Sequence, residues 1–254
     1  AIFNPEDMNA LEQALYIKDQ NPGSEVLLLT MGPFRAADII REGLFRGADG
    51  GVLLTDRKFA GADTLATSYA LSQAVKKINP DIILAGRQAI DGDTAQVGPQ
   101  VAEKLGIPQV TYAEEIQEIT DTKVTIKRRL ERGVEVVSCT LPCLVTVHAT
   151  AAPYRPRHAK QVMKYKYART VTEDTTEGAN YLLPLADYPY LKITEWGTAD
   201  VGGEDSSYGM AGSPTKVKKV ENIVFQAKEA KKLTASNEDI DSLISELLAN
   251  HTIG

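Results

Sequence analysis

Cysteine is scarce in this chain: Cys139 and Cys143 are the only two, which excludes a disulfide framework as what holds the fold. Both lie in the apolar, strand-like run from Val136 to Val145, a setting for buried, reduced thiols rather than for a disulfide or a metal pair. The three histidines, His148, His158 and His251, have no neighbouring ligand set, which argues against a zinc site. No apolar run approaches the roughly 18 residues of a membrane span, and the start lacks the basic and apolar regions of a signal peptide, so the cytoplasm is the default expectation. P-loop and Rossmann glycine spacings are both missing. No phosphate lysine, catalytic dyad or metal cluster is visible, which leaves a hydrolase or ATP-pyrophosphatase without machinery.

Positive charge is in deficit too. A net charge of −6 argues against a general nucleic-acid binder. The exception is local: Arg155, Arg157, Lys160, Lys164, Lys166 and Arg169 follow one another with no acid between them. Such a segment is a solvated face or a steering patch for acidic partners or phosphates.

What the chain does have is 254 residues, 43% of them hydrophobic, ample for a real core. Pro5 suits the first turn of a helix whose apolar positions Met8, Leu11, Ala14, Leu15 and Ile17 keep helical spacing. Strand-like runs at 25–30, 52–54 and 82–85 alternate with helical patterns at 36–44, 65–78 and 95–105. That rhythm predicts a parallel sheet with helices on both faces. A strand at 107–112, a β-hairpin from Lys123–Lys127 and Val134–Thr140 through Arg132-Gly133, and a strand at 144–148 follow. Residues 151 to about 235 are poor in regular pattern, and the apolar Tyr181-Leu182-Leu183 and Tyr190–Ile193 read as a wrapping arm. Ser236-Asn237-Glu238-Asp239 reads as a capping box before a last helix.

The segment Gly86 to Pro99 combines strand end, glycine turn, polar loop and helix start. Asp91, Asp93 and Thr94 are good N-cap residues, and Gly98 removes a side chain where a ligand could approach. The first N–H groups of a helix after a parallel strand suit phosphate. An ordinary capped helix reads equally well from local features alone.

Four segments in this order resemble the small (β) subunit of electron-transferring flavoproteins: Phe3-Asn4-Pro5 with Glu12–Leu15, Thr30-Met31-Gly32-Pro33, Gly86 to Gly98, and Ile126–Glu135 continuing through Leu141–Thr146. The resemblance implies an α/β fold of the adenine-nucleotide α-hydrolase-like kind, a doubly wound, mostly parallel sheet with a β-hairpin extension and a long C-terminal arm. It divides the chain into a nucleotide-binding domain at 1–150 and a docking loop, arm and C-terminal helix at 151–254. It implies a subunit that does not catalyse alone but pairs with an α subunit carrying FAD. By this resemblance Asn4, Met31, Gly32, Ala89, Asp91 and the loop Gly92, Asp93, Thr94, Ala95, Gln96, Val97 with Gly98 hold a nucleotide.

The form Asp91 to Gly98 resembles members that bind FAD in place of AMP and bifurcate electrons from NADH, one to ferredoxin or flavodoxin and the other through the α subunit to an acyl-CoA dehydrogenase-type partner. Asp63, Thr64 and Thr67, at a hydroxyl-rich helix start, then serve the pyrophosphate. The alternatives are a non-bifurcating subunit holding AMP and, more remotely, a stand-alone adenine-nucleotide sensor. The family's dehydrogenase-docking loop falls on Arg155, Arg157, Ala159 and Lys160, with Val162 and Met163 as the apolar contact. Family members begin with a further stretch that includes a first strand, so the sheet is expected to lack its central strand.

Overall fold

The computed structural model describes residues 1–174, 183–216 and 230–253. They belong to two compact units, Ala1–Lys216 and Val217–Gly254. In the first, α1 (Pro5–Gln20) begins on its proline, where a missing N–H costs nothing. After β1 (Leu27–Met31), a short 3-10 turn leads into α2 (Ala37–Leu44), followed by β2 (Gly50–Leu54), α3 (Thr64–Ile78), β3 (Ile82–Gly86) and α4 (Val97–Leu105). Asn79 (φ 54°) stops α3 and Gly106 (φ 66°) stops α4, each in the left-handed conformation that closes a helix. β4 (Gln109–Ile119), β5 (Lys123–Leu130), β6 (Gly133–Thr140) and β7 (Cys143–Val147) come next. The remainder holds α5 (Ala159–Tyr165), α6 (Val171–Asp174), β8 (Thr194–Trp196) and α7 (Thr198–Val201).

The strands form two sheets, β1-β2-β8 and β3-β7-β4-β5-β6. Pairings within the first and among β3, β7 and β4 are parallel; β5 and β6 add an antiparallel hairpin. The fold is α/β and mostly parallel, as the sequence predicts. β2 shows why helices lie on both faces: Val52 and Leu54 pack with Ala70 and Ala74 of α3, while Leu53 between them packs with Ile40 and Leu44 of α2 and Leu11 and Leu15 of α1. Successive strand side chains point to opposite faces, so an all-apolar strand needs cover on both.

Two expectations need correcting. The strand expected to end at Tyr112 runs on to Ile119 and becomes the hairpin's partner, Ile116 pairing with Ile126. Its solvent-facing Glu115 and Glu118 hid it from an apolar count. The stretch after 151 is not pattern-poor throughout: β8 pairs with β2, Val52 opposite Thr194 and Leu54 opposite Trp196. Leu191 and Ile193 are buried in the same core as Leu53. Of the expected arm, Tyr181 and Leu182 lie outside the described residues.

The hairpin's inner face, with Val124, Ile126 and Cys139, closes a core with Val110, Ile116, Cys143 and Val145. Both cysteines are buried free thiols. Burial, with Cys139 alongside, pushes the Cys143 thiol up to about 12. On the outer face Val134 stands opposite Arg129 and Val136 opposite Lys127, on the terminal strand β6. In the second unit α8 (Asn237–Ala249) is the helix expected there, its start capped by the Ser236 hydroxyl accepting from the Asp239 N–H at 3.3 Å. Among the described residues no helix is long and apolar enough to cross a membrane.

Leu53 is fully buried at the centre of its sheet. Leu53→Ala is expected to lower the unfolding free energy by about 2–5 kcal/mol, whereas Leu130→Ala, on the exposed end of β5, is expected to change it by less than about 0.5 kcal/mol. Urea midpoints of the two variants check this.

Candidate functional site

The carboxyl end of β3 is gripped by the first turn of α1. The Asp7 carboxylate accepts from the Gly86 N–H at 2.5 Å and from the Asn4 amide at 2.8 Å. Glu6 accepts from the Gln88 N–H at 2.9 Å and from the Arg87 guanidinium at 3.1 and 3.2 Å. Asn4 also donates to the Gln88 carbonyl at 2.9 Å and accepts from the Ile90 N–H at 3.2 Å. A Cβ on Gly86 would lie 2.7 Å from the Asp7 nitrogen; only glycine lets the helix sit so close. Burial raises the Asp7 pKa; the Gly86 and Asn4 hydrogen bonds pull it down, and neighbouring Glu6 pushes it up again, with a net rise.

From this anchor the loop runs out into solvent. Ala89, Asp91, Gly92, Asp93 and Thr94 are exposed. The Asp93 N–H donates to the Ala89 carbonyl at 3.0 Å, and the Gln88 amide to the Asp93 carboxylate at 3.0 Å. Asp93 (φ 47°) and Ala95 (φ 52°) are both left-handed, a conformation uncommon outside glycine. Gln96 returns to the right-handed region at φ −98°, ψ −30°. Among the described residues the N–H groups of Thr94, Ala95 and Gln96 have no hydrogen-bond partner. Consecutive amides in a left-to-right-handed turn form a concavity suited to an anion.

A second helix start is tied to the first. Thr64 donates to the Gln96 side-chain oxygen at 2.9 Å, and Gln100 reaches both Thr64, at 3.5 Å, and Ser68, at 3.1 Å. Asp63 caps α3, accepting from the Leu65 and Ala66 N–H groups at 3.0 Å. Its other oxygen accepts from the Thr215 N–H at 3.1 Å, and its own N–H donates to the Ser213 hydroxyl at 2.8 Å. The Gly212-to-Lys216 segment is thus gathered onto the start of α3. A recess of about 430 Å³ lies beside it, bounded by Leu65, Tyr69, Lys104, Ser207, Gly212 and Ser213. The start of α3 is taken by the Asp63 carboxylate and the Thr64 hydroxyl by Gln96, so the open donors here are the Thr94, Ala95 and Gln96 amides at the start of α4, a set that fits phosphate oxygens.

The structure therefore brings Asn4, Thr64, Gln96 and the loop into one hydrogen-bonded assembly, with Thr67 in the first turn of α3. Met31 and Gly32 stand at the carboxyl end of β1, in the other sheet, where the Gly32 N–H donates to the Leu54 carbonyl at 3.0 Å. Gly98 differs from expectation: a Cβ there would come within 2.6 Å of Thr146 Cγ2, so this glycine lets α4 pack on β7. Glu6, Asp7 and Gln88 were missed by sequence reasoning. Their signal was two acids in the first turn of the helix that Asn4 precedes.

The basic segment lies elsewhere and is partly spoken for. Arg155 is bound to Glu12 at 2.9 Å and Asp19 at 2.8 Å, and Arg157 to Glu42. Ala159, Lys160, Val162 and Met163 are on α5, and Met163 is 72% exposed.

A family model described as the electron transfer flavoprotein domain matches residues 1–176. The chain is 41% identical over 257 residues to the caffeyl-CoA reductase-Etf complex subunit CarD of Acetobacterium woodii, an alignment covering 100% of this chain and 88% of that protein. It is 44% identical to the electron transfer flavoprotein subunit beta of Megasphaera elsdenii, covering 86% and 75%. It is 40% identical to the acryloyl-CoA reductase electron transfer subunit gamma of Anaerotignum propionicum, covering 100% and 88%.

Gly98→Ala is expected to destabilise by about 1–3 kcal/mol through overlap with Thr146, and Thr146→Ser, which removes Cγ2, to recover most of that loss; denaturant midpoints of single and double variants read it directly. Burial raises the Asp63 pKa, but the Ala66, Thr215 and Leu65 N–H groups outweigh it and hold the carboxyl below its usual range. Its stabilisation is therefore complete at neutral pH and is lost as the pH falls through the lowered value. Asp63→Ala is expected to cost about 1 kcal/mol at pH 7, and that cost should shrink in acid, as chemical denaturation at several pH values would record.

Proposed function

The chain belongs to the electron transfer flavoprotein family as a β-type subunit, and from that membership we propose that it holds a nucleotide on the 87–98 loop and works as one half of an electron-carrying heterodimer. The observation that carries the reading is the pair of helix starts joined by Thr64 and Gln96, beside the open amides of Thr94 to Gln96. One helix start accommodates one phosphate. The second start is already capped by the Asp63 carboxylate, so the preference for FAD over AMP follows the resemblance of the 91–98 loop to FAD-holding members. Held by the loop, a flavin would supply the redox chemistry, accepting two electrons as hydride from NADH and releasing them singly, one toward ferredoxin or flavodoxin and one, through the α subunit's FAD, toward an acyl-CoA dehydrogenase-type partner.

The residues of this chain have other tasks. Asn4, Glu6 and Asp7 fix where the loop leaves the sheet, and Thr64 holds the two helix starts in register. Asp63 secures the Ser213–Thr215 segment at the edge of the same site. No side chain need transfer a proton; burial, orientation and nearby charge set how a bound ring behaves. Two relatives are named for a caffeyl-CoA reductase and an acryloyl-CoA reductase, and both names support a partner acting on acyl-CoA thioesters. The segment from Arg155 through α5 would provide the docking side, with Met163 as the apolar contact and Lys160 and Lys164 around it. Arg155 and Arg157, engaged by α1 and α2, hold that segment in place.

Counting flavins in the purified heterodimer tests the central claim. Two flavins per αβ pair are expected; one flavin with AMP refutes FAD in this subunit. The double variant Thr94→Asn with Val97→Thr is expected to lower small-subunit flavin occupancy in the same assay, and unchanged occupancy would count against the loop.

A further inference from the structure

Three side chains outside the loop assembly's phosphate donors stand in a row across β3, β7 and β4, level with the carboxyl ends of the first two. β3, β7 and β4 lie side by side in that order. Arg87 directly follows β3 and His148 directly follows β7. Tyr112 occupies a break in the register of β4, between Val110, opposite Val145, and Ala113, opposite Val147. Backbone bonds carry the row across: the Arg87 N–H donates to the Val147 carbonyl at 2.9 Å and the His148 N–H to the Ala113 carbonyl at 2.8 Å. The Arg87 guanidinium carbon is 5.5 Å from the Tyr112 ring centre, and the Tyr112 and His148 rings are 5.7 Å apart at 24°.

Tyr112 has a φ of 60°. For a bulky residue that conformation costs on the order of 1–3 kcal/mol, and a bulge of this kind re-aims the side chain it carries. Core burial does not offset the strain, because the residue is 40% exposed. His148 is fixed in its turn: the Thr150 N–H donates to Nδ1 at 3.2 Å, the Thr150 hydroxyl lies 2.9 Å from the same nitrogen, and that hydroxyl donates to Glu114 at 2.5 Å. Glu114 is bound to Arg129 at 2.6 Å.

We propose that Arg87, Tyr112 and His148 form a docking row for a planar, acceptor-bearing aromatic ring of the flavin class. This deepens, and rests on, the electron-transfer reading. The row combines a phenol, an imidazole and a guanidinium, polar groups that can meet the carbonyl and nitrogen acceptors of such a ring, level with the carboxyl ends of β3 and β7, where α/β sheets take ligands. Arg87, itself paired with Glu6, is the row's cation and would sit beside a ring that gains negative charge on reduction. Two sources can present it: the nucleotide on this chain's own loop, which begins at Arg87, or the flavin carried by the α subunit.

The test uses the heterodimer in wild-type, Tyr112→Gly and His148→Gln forms, reading thermal midpoint, visible circular dichroism of the flavin, and flavin affinity by fluorescence. Glycine adopts a positive φ freely, so Tyr112→Gly is expected to keep or raise the thermal midpoint. Flavin affinity is nevertheless expected to fall by about tenfold or more, with an altered dichroic spectrum, and His148→Gln to shift both in the same direction. If these changes persist after Thr94→Asn with Val97→Thr empties the loop, the ring belongs to the α subunit; if they vanish, it belongs to this chain. Affinities within about twofold of wild type and unchanged dichroism in both variants overturn the docking row and leave the electron-transfer reading standing. A wild-type heterodimer that retains no flavin overturns that reading itself.

Discussion

The site depends on the contact between the first turn of α1 and the last residue of β3. Two carboxylates, Glu6 and Asp7, point into the protein and are answered by the backbone N–H groups of Gly86 and Gln88 and by Arg87. A half-buried acid is costly unless its oxygens are satisfied. These oxygens therefore accept one arrangement of the chain after β3, and the loop inherits its direction from them. Asn4 extends the hold two residues further, to Ile90. Beyond that point the loop is steered from the opposite side, by Thr64 on Gln96. The segment between is exposed, yet both its ends are fixed, an arrangement that lowers the ordering entropy a ligand must overcome.

Strain gathers around the same strand ends. Asp93, Ala95 and Tyr112 all have positive φ without being glycine: the first two in the loop after β3, the third in the bulge of β4 level with the end of β7. Backbone in sparsely populated conformations persists where the surroundings over-determine it, and this is commoner at binding sites than in plain structure. The interiors of both sheets show the opposite character. Leu53, Val124, Ile126 and Val145 are fully buried in apolar surroundings.

How far the fold can be read from the sequence depends on whether the signal is local. Pro5 at the head of α1, Asp63 before α3 and the glycine after α4 each act within a few residues, and each is visible as such. β8 is not: three residues, Thr194 to Trp196, become a strand because Val52 to Leu54 wait for them across the chain. The far half of β4 is hidden for a different reason, since its glutamates face water and break the apolar run. In the site, the loop's helix-start chemistry is legible, but the duties of its members are less so. Gly98 looks like clearance for a ligand until Thr146 is seen behind it. Asn4 looks like a free amide until its partners, 84 and 86 residues away, are in view.

The hairpin leaves β6 as the outermost strand, with Val134 and Val136 turned outward. A free strand edge beside exposed valines is a template for sticking to another copy, and proteins usually blunt it with charge. Here Lys127 stands one strand in, opposite Val136, while Arg129, opposite Val134, is paired with Glu114. Such protection is electrostatic and so belongs to the solution as much as to the protein: it weakens as the Debye length shrinks to roughly 3 Å at 1 M salt. Colloidal behaviour, and not only partner choice, is thereby written into two cross-strand pairs.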